Sequence, residues 1–155
     1  MNDYLLEARE ELKRLEHIIY VSLKYTRTVD VILNALRRMV STCDFIIEAF
    51  LEKAIEEGRI ESLPKSPALR ATWVGELHAD DPKLQNYLAF YSFLKTILKL
   101  SYKKREEYRR HVTLIVDLEQ ATAEIKIDNL LNAEKFVHHF LNYSWEKIVG
   151  KKEED

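Results

Sequence analysis

One stretch of this sequence gathers basic side chains beside tyrosines. Five lysines and arginines fall between positions 103 and 110, and a tyrosine lies before them and another among them. Positive charge gathered on one face binds phosphates, and tyrosine rings stack on bases. The stretch therefore indicates a phosphate or RNA contact, with the tyrosines available for stacking and with these basic residues as candidate ligands: Lys103, Lys104, Arg109 and Arg110.

Acidic neighbours of this basic cluster provide an alternative interpretation. On a helix, Glu106 lies one turn before Arg110, and Glu107 lies one turn before His111. Opposite charges at that spacing pair with each other. The cluster is then an ordinary solvated helix face, and the sequence favours this interpretation.

Other residues that ligate metals or perform catalysis lack a recognisable spacing. His138 and His139 are adjacent, so on a helix their side chains point about 100° apart and make a poor pair of ligands for one metal ion. The three glycines lie far apart, which excludes a glycine-rich phosphate loop. The single Cys43 lies in an apolar stretch and has no partner for an internal disulfide. We therefore predict no metal site and no cofactor.

The segment Arg105-Glu-Glu-Tyr-Arg-Arg-His111 resembles a motif of helical HEPN domains, in which four to six residues separate an Arg from a His. The chain is also similar to that family in length and in its helical character. The resemblance implies a metal-independent ribonuclease that acts through attack by the 2′-hydroxyl, in a cleft between two subunits. Arg105 would stabilise phosphate charge and His111 would transfer protons. Residues 4 to 28 also resemble an uncharacterised archaeal helical family, which implies no function.

Composition favours a cytoplasmic protein without membrane contact. A chain of 155 residues is typical of one domain, and its net charge of −2 gives no general attraction to nucleic acid or membranes. No apolar run approaches the roughly 20 residues that span a bilayer. Charged residues make up 32% of the chain while Gln occurs only twice, a bias typical of proteins from hot environments.

Apolar side chains recur at steps of three and four along most of the chain, and this spacing predicts helices. The residues from 28 to 57 have the widest apolar face, so this helix should lie in the middle of a bundle. Gly58 is a typical helix stop, and Ser66, Asp81 and Asp128 are predicted N-caps. The predicted helices span residues 3 to 25, 28 to 57, 67 to 77, 82 toward 111, and 129 to 149.

Residues 112 to 127 are rich in β-branched side chains, which lower helix propensity. Alternation around Ile125 favours an extended segment that pairs with residues 112 to 118 as a hairpin. The alternative is a helix, because Tyr108, Val112 and Ile115 recur at steps of four and three. The sequence leaves both interpretations open.

These patterns predict an all-α fold, a single up-and-down bundle of four or five helices over residues 1 to 150 with a tail at 151 to 155. The broad apolar faces predict a homodimer. The favoured function is a helical protein-interaction module, whose partner is a second copy or a nucleotidyltransferase-like protein. The alternative is the HEPN-like ribonuclease that uses Arg105 and His111.

Overall fold

A long helix, α3 (Val29–Glu56), runs through the middle of the protein. It is seen in a computed structural model that describes residues 3 to 150, so the predicted tail at 151 to 155 lies outside the described residues. Half of the 28 residues of α3 are buried, and they contact α1, α4, α5, α6 and the sheet. The central position predicted from the wide apolar face is confirmed.

The N-terminal segment covers one side of α3. Helix α1 (Asp3–His17) continues through a π-helical turn, Ile18–Ser22, into the short α2 (Leu23–Tyr25). This agrees with the helix predicted for residues 3 to 25, apart from the π-helical turn. Leu5, Ala8, Leu12 and Leu15, spaced three and four apart, form the buried stripe.

Two further helices begin at the predicted caps. The Ser66 hydroxyl accepts a hydrogen bond from the Leu69 N–H at the start of α4 (Pro67–Leu77). The Asp81 carboxylate accepts one from the Leu84 N–H at the start of α5 (Pro82–Lys99). Gly58, with a φ of 73°, follows the end of α3 as predicted.

A small antiparallel sheet follows α5, so the prediction of a helix from residue 82 toward 111 is wrong beyond Lys99. The strands are β1 (Tyr102–Arg105), β2 (Thr113–Asp117) and β3 (Thr122–Ile125), in the order β1-β2-β3. The predicted hairpin is confirmed, since β2 pairs with β3, whereas β1 was not predicted. The fold is therefore mainly helical, as predicted, but a three-stranded sheet accompanies the helices, so it is not a pure bundle.

Burial alternates along residues 114 to 117, which explains why this segment is extended. Leu114 and Val116 are fully buried, whereas Ile115 between them is only partly buried. An extended strand places alternate side chains on opposite faces, and the β-branched residues suit that geometry. β1 carries no such pattern, because all of its side chains are exposed.

The last helix, α6 (Ile127–Ile148), begins two residues earlier than predicted. The proposed Asp128 cap is wrong, because Lys126 is the N-cap residue and its N–H donates to the Asn129 side chain over 2.9 Å. Asp128 lies instead in the first turn, where the helix dipole favours its charge. The buried face of α6 includes Leu130, Val137, Phe140, Ser144 and Ile148.

Asp81 joins the start of α5 to the end of α6. Its second carboxylate oxygen accepts hydrogen bonds from the Tyr143 hydroxyl and, over 2.7 Å, from the Lys147 ammonium. Burial opposes ionisation of Asp81, but the Lys147 ammonium and the Leu84 N–H outweigh it and lower the pKa of the carboxyl. The ionised form is therefore part of the folded structure.

We expect Asp81→Asn to lower the free energy of unfolding by about 1 to 2 kcal/mol at pH 7, because Asn still caps a helix but carries no charge for Lys147. Since the folded-state pKa is lowered, the wild-type advantage is present above about pH 4 and is lost as the pH falls through that pKa. Urea unfolding at pH 7, 4 and 2.5 measures this difference. An equal difference at all three pH values would show that the charge of Asp81 has no part in it.

Candidate functional site

The basic cluster singled out in the sequence lies on an exposed edge of the protein. β1 is an edge strand, and the segment 106 to 112 that follows it makes a sharp turn. Backbone φ is positive at Glu106 (53°) and at Tyr108 (65°), which a helix does not allow. The helical pairing expected for Glu106 with Arg110 and for Glu107 with His111 is therefore wrong.

Two hydrogen bonds attach this turn to the start of α3. The Tyr108 N–H donates to the Arg27 carbonyl over 2.6 Å, and the Glu107 carboxylate accepts from the Val29 N–H over 3.1 Å. A carboxylate at the first N–H groups of a helix is favoured by the helix dipole. The negative charge of Glu107 therefore stabilises the start of α3.

Strand β1, the turn, and residues 24 to 28 before α3 together form what we call the basic surface. The ion pairs found here join Lys104 to Asp30 and Glu107, and Arg105 to Glu124. Within residues 3 to 150, the remaining cations of this region make no ion pair. The basic surface is thus locally positive although the chain as a whole is negative, and its unpaired cations are Lys24, Arg27, Lys103, Arg109 and Arg110.

Three tyrosines on the basic surface expose their rings. Tyr25 is 81% exposed, Tyr108 77% and Tyr102 43%. The sequence singled out Tyr102 and Tyr108 but missed Tyr25, because its proximity depends on the distant contact between Tyr108 and Arg27. The predicted phosphate ligands are all exposed on this surface: Lys103, Lys104, Arg109 and Arg110.

Arg105 and His111 lie on either side of the turn. The Arg105 guanidinium is 2.7 Å from the Glu124 carboxylate on β3, and both side chains are more than two-fifths exposed. This hydrogen bond raises the pKa of Arg105 and lowers that of Glu124. The His111 side chain is exposed, and its backbone carbonyl accepts from the Thr113 hydroxyl. In the described residues, the guanidinium and the imidazole form no hydrogen bond with each other.

A groove of about 750 Å³ lies between α4 and α5. Beneath it, the Tyr91 hydroxyl donates to Asp44, and Arg70 pairs with Glu48 over 2.7 Å. Burial raises the pKa of both carboxyls. Because each carboxyl already has a donor, they stabilise the packing of α3 against its neighbours. The walls are mainly small side chains: Ala68, Ala71, Thr72, Gly75, Ala79, Ala89 and Ser92.

A smaller apolar groove of about 300 Å³ lies between α5, β3 and α6. Phe90, Phe93 and Ile125 line it, and Phe93 is 46% exposed at its rim. β3 is the second edge strand of the sheet. This groove is the clearest apolar surface on which another chain could pack.

A cluster of one histidine and two carboxylates between α1 and α6 was not predicted from the sequence. His138 lies close to two carboxylates, with its Nε2 atom 2.7 Å from Glu16 and 2.8 Å from Glu134. The Tyr20 hydroxyl donates to the other oxygen of Glu134 over 3.3 Å, and burial together with that carboxylate raises the pKa of Tyr20. The available signal was the position of Glu134 one turn before His138 on the buried face of α6.

Cys43 is fully buried on α3, and burial raises the pKa of its thiol far above the ordinary value. A protonated, inaccessible thiol is a poor nucleophile, so this residue contributes packing. No helix of residues 3 to 150 is both long and apolar enough to cross a membrane. The chain matches no protein family, no curated protein and no solved structure with which it was compared.

Proposed function

We propose that this protein is a helical binding module whose basic surface binds single-stranded nucleic acid, with RNA as the first ligand to test. The observation that supports it is the combination of unpaired cations and exposed tyrosine rings on one surface. The expectation of a self-neutralising helix face depended on helical spacing, and this segment is not helical.

Each part of the basic surface has a role in such binding. Arg109 and Arg110 would contact phosphates, since Arg presents a fork of donors that fits phosphate oxygens. Tyr25 and Tyr108 would stack on unpaired bases, and each stacked base is worth about 1 to 3 kcal/mol. Stacking needs bases that are not paired in a duplex, which favours a single strand.

We expect the double variant Arg109→Ala/Arg110→Ala to weaken binding of a labelled single-stranded RNA at least tenfold at low salt. The slope of log affinity against log salt should also become shallower by about 1.4, because two phosphate contacts are lost. Fluorescence anisotropy at several salt concentrations measures both quantities.

The matched control is Lys65→Ala/Lys83→Ala, which removes the same charge from exposed positions just before α4 and in the first turn of α5. This control should bind nearly as well as the wild type. Tyr25→Ala/Tyr108→Ala should lower affinity without changing the salt slope. Equal losses in the two charge variants would show that the basic surface is not the binding site.

A second candidate is the HEPN-like ribonuclease, and the observation that favours it is that Arg105 and His111 both lie on the basic surface. Phosphate bound there would lie near both side chains. The ion pair with Glu124 is exposed and therefore weak, so a phosphate could replace the carboxylate.

For this ribonuclease we expect cleavage of single-stranded RNA in the presence of EDTA, with rates at least a hundredfold lower in Arg105→Ala and His111→Ala. Glu124→Gln should cleave at least as fast as the wild type, because it frees the guanidinium. A time course on denaturing gels measures the rates. Failure of the wild type to cleave, or equal rates in His111→Ala, would refute the ribonuclease and leave the binding proposal standing.

We also propose that the module acts as a homodimer, with a second copy covering the apolar groove beside β3. Two-fold association covers an exposed apolar surface and an edge strand at once. Light scattering should give about twice the 18.4 kDa mass of one chain. Phe93→Glu should give the single-chain mass, whereas Leu69→Glu, on an exposed leucine of α4, should not. A single-chain mass for the wild type would contradict the dimer.

A further inference from the structure

Besides Glu134, two acidic side chains are buried among the described residues, and each of them has a permanently charged partner. Glu11, which is 5% exposed, accepts hydrogen bonds from Arg14 over 2.6 Å and from Arg38 over 3.1 Å. Asp81 has Lys147. A buried carboxylate without compensating charge is costly, which explains these pairings.

Glu134 is the exception. It is 4% exposed, and in the described part of the chain neither Lys nor Arg pairs with it. Its partners are the Tyr20 hydroxyl, which is uncharged, and the His138 imidazole, whose charge depends on a proton. A further source of positive charge would therefore stabilise Glu134.

The imidazole is also shared between two carboxylates. Glu16 and Glu134 both direct an oxygen at the same Nε2 atom of His138. That nitrogen carries at most one proton, so one N–H must serve two acceptors. A cation placed between the three atoms would contact all of them at once.

The geometry suits a divalent transition metal. One ligand atom from each of Glu16, Glu134 and His138 lies within 4.8 Å of the others. Two ligand atoms that are each about 2.1 Å from a tetrahedral ion lie roughly 3.4 Å from each other. The two carboxylate oxygens are 2.7 and 2.8 Å from the His138 Nε2 atom, so each would need to move away from that nitrogen by less than about 1 Å. Glu16 and His138 are each more than a third exposed, which leaves them room to move and leaves space for a water ligand.

We propose that Glu16, Glu134 and His138 form a binding site for one divalent transition-metal ion that joins α1 to α6. The donor set of one imidazole and two carboxylates favours ions such as zinc over magnesium, which prefers oxygen ligands alone. This site is separate from the basic surface and does not rest on the function proposed for it.

The test is calorimetric titration of zinc into the full chain after treatment with a chelator. We expect one equivalent to bind, with affinity at least tenfold lower in Glu16→Gln and in His138→Ala. Glu16→Gln should fold normally because Glu16 is half-exposed, so it remains informative if His138→Ala is unstable. Zinc should also raise the thermal midpoint of the wild type more than that of Glu16→Gln.

His139→Ala is the matched control, because His139 is the adjacent, exposed histidine of the same helix. It should bind zinc as the wild type does. Absence of zinc binding by the wild type, or binding unchanged in both Glu16→Gln and His138→Ala, would overturn the proposal. A loss confined to His139→Ala would overturn it as well, since the metal would then sit on the exposed surface.

Discussion

The burial of α3 is the constraint on which the rest of the structure depends. Its apolar residues occupy so much of the circumference that one neighbouring helix cannot cover them. Helices α1, α4, α5 and α6 contact it, and β2 contributes Leu114 and Val116 to the same core. The sheet thus helps to cover α3. To do so, the chain after α5 becomes extended and returns toward the start of α3.

That return places the turn at the N-terminal end of α3, where backbone N–H groups lack partners within the helix. Glu107 satisfies one of them through the Val29 N–H, and Thr28 satisfies the Val31 N–H. The same arrangement leaves Arg109 and Arg110 without acidic partners among the described residues. The same turn therefore satisfies the end of α3 with Glu107 and leaves the two arginines unpaired within residues 3 to 150.

Most helices could be predicted from sequence because their signals are local. Ser66 and Asp81 stand directly before prolines, and α3 has an apolar period that continues for 28 residues. The strand β1 could not be predicted, because Tyr102–Arg105 are all exposed and are extended only through pairing with β2. The same distinction applies to the candidate functional residues. The basic residues of the basic surface could be identified from the sequence. Tyr25 on that surface, and Glu16 in the separate cluster with His138, are brought into place by contacts between distant parts of the chain.

Glu11, Asp81 and Glu134 are all buried carboxylates that need compensating positive charge, but their partners differ. Arg14 and Arg38 remain charged at any physiological pH, so Glu11 is a fixed part of the contact between α1 and α3. Lys147 plays the same part for Asp81 between α5 and α6. The partner of Glu134 between α1 and α6 is instead a histidine, which is charged only when protonated. A metal ion bound at the proposed site would join the same two helices, so its binding would stabilise this contact.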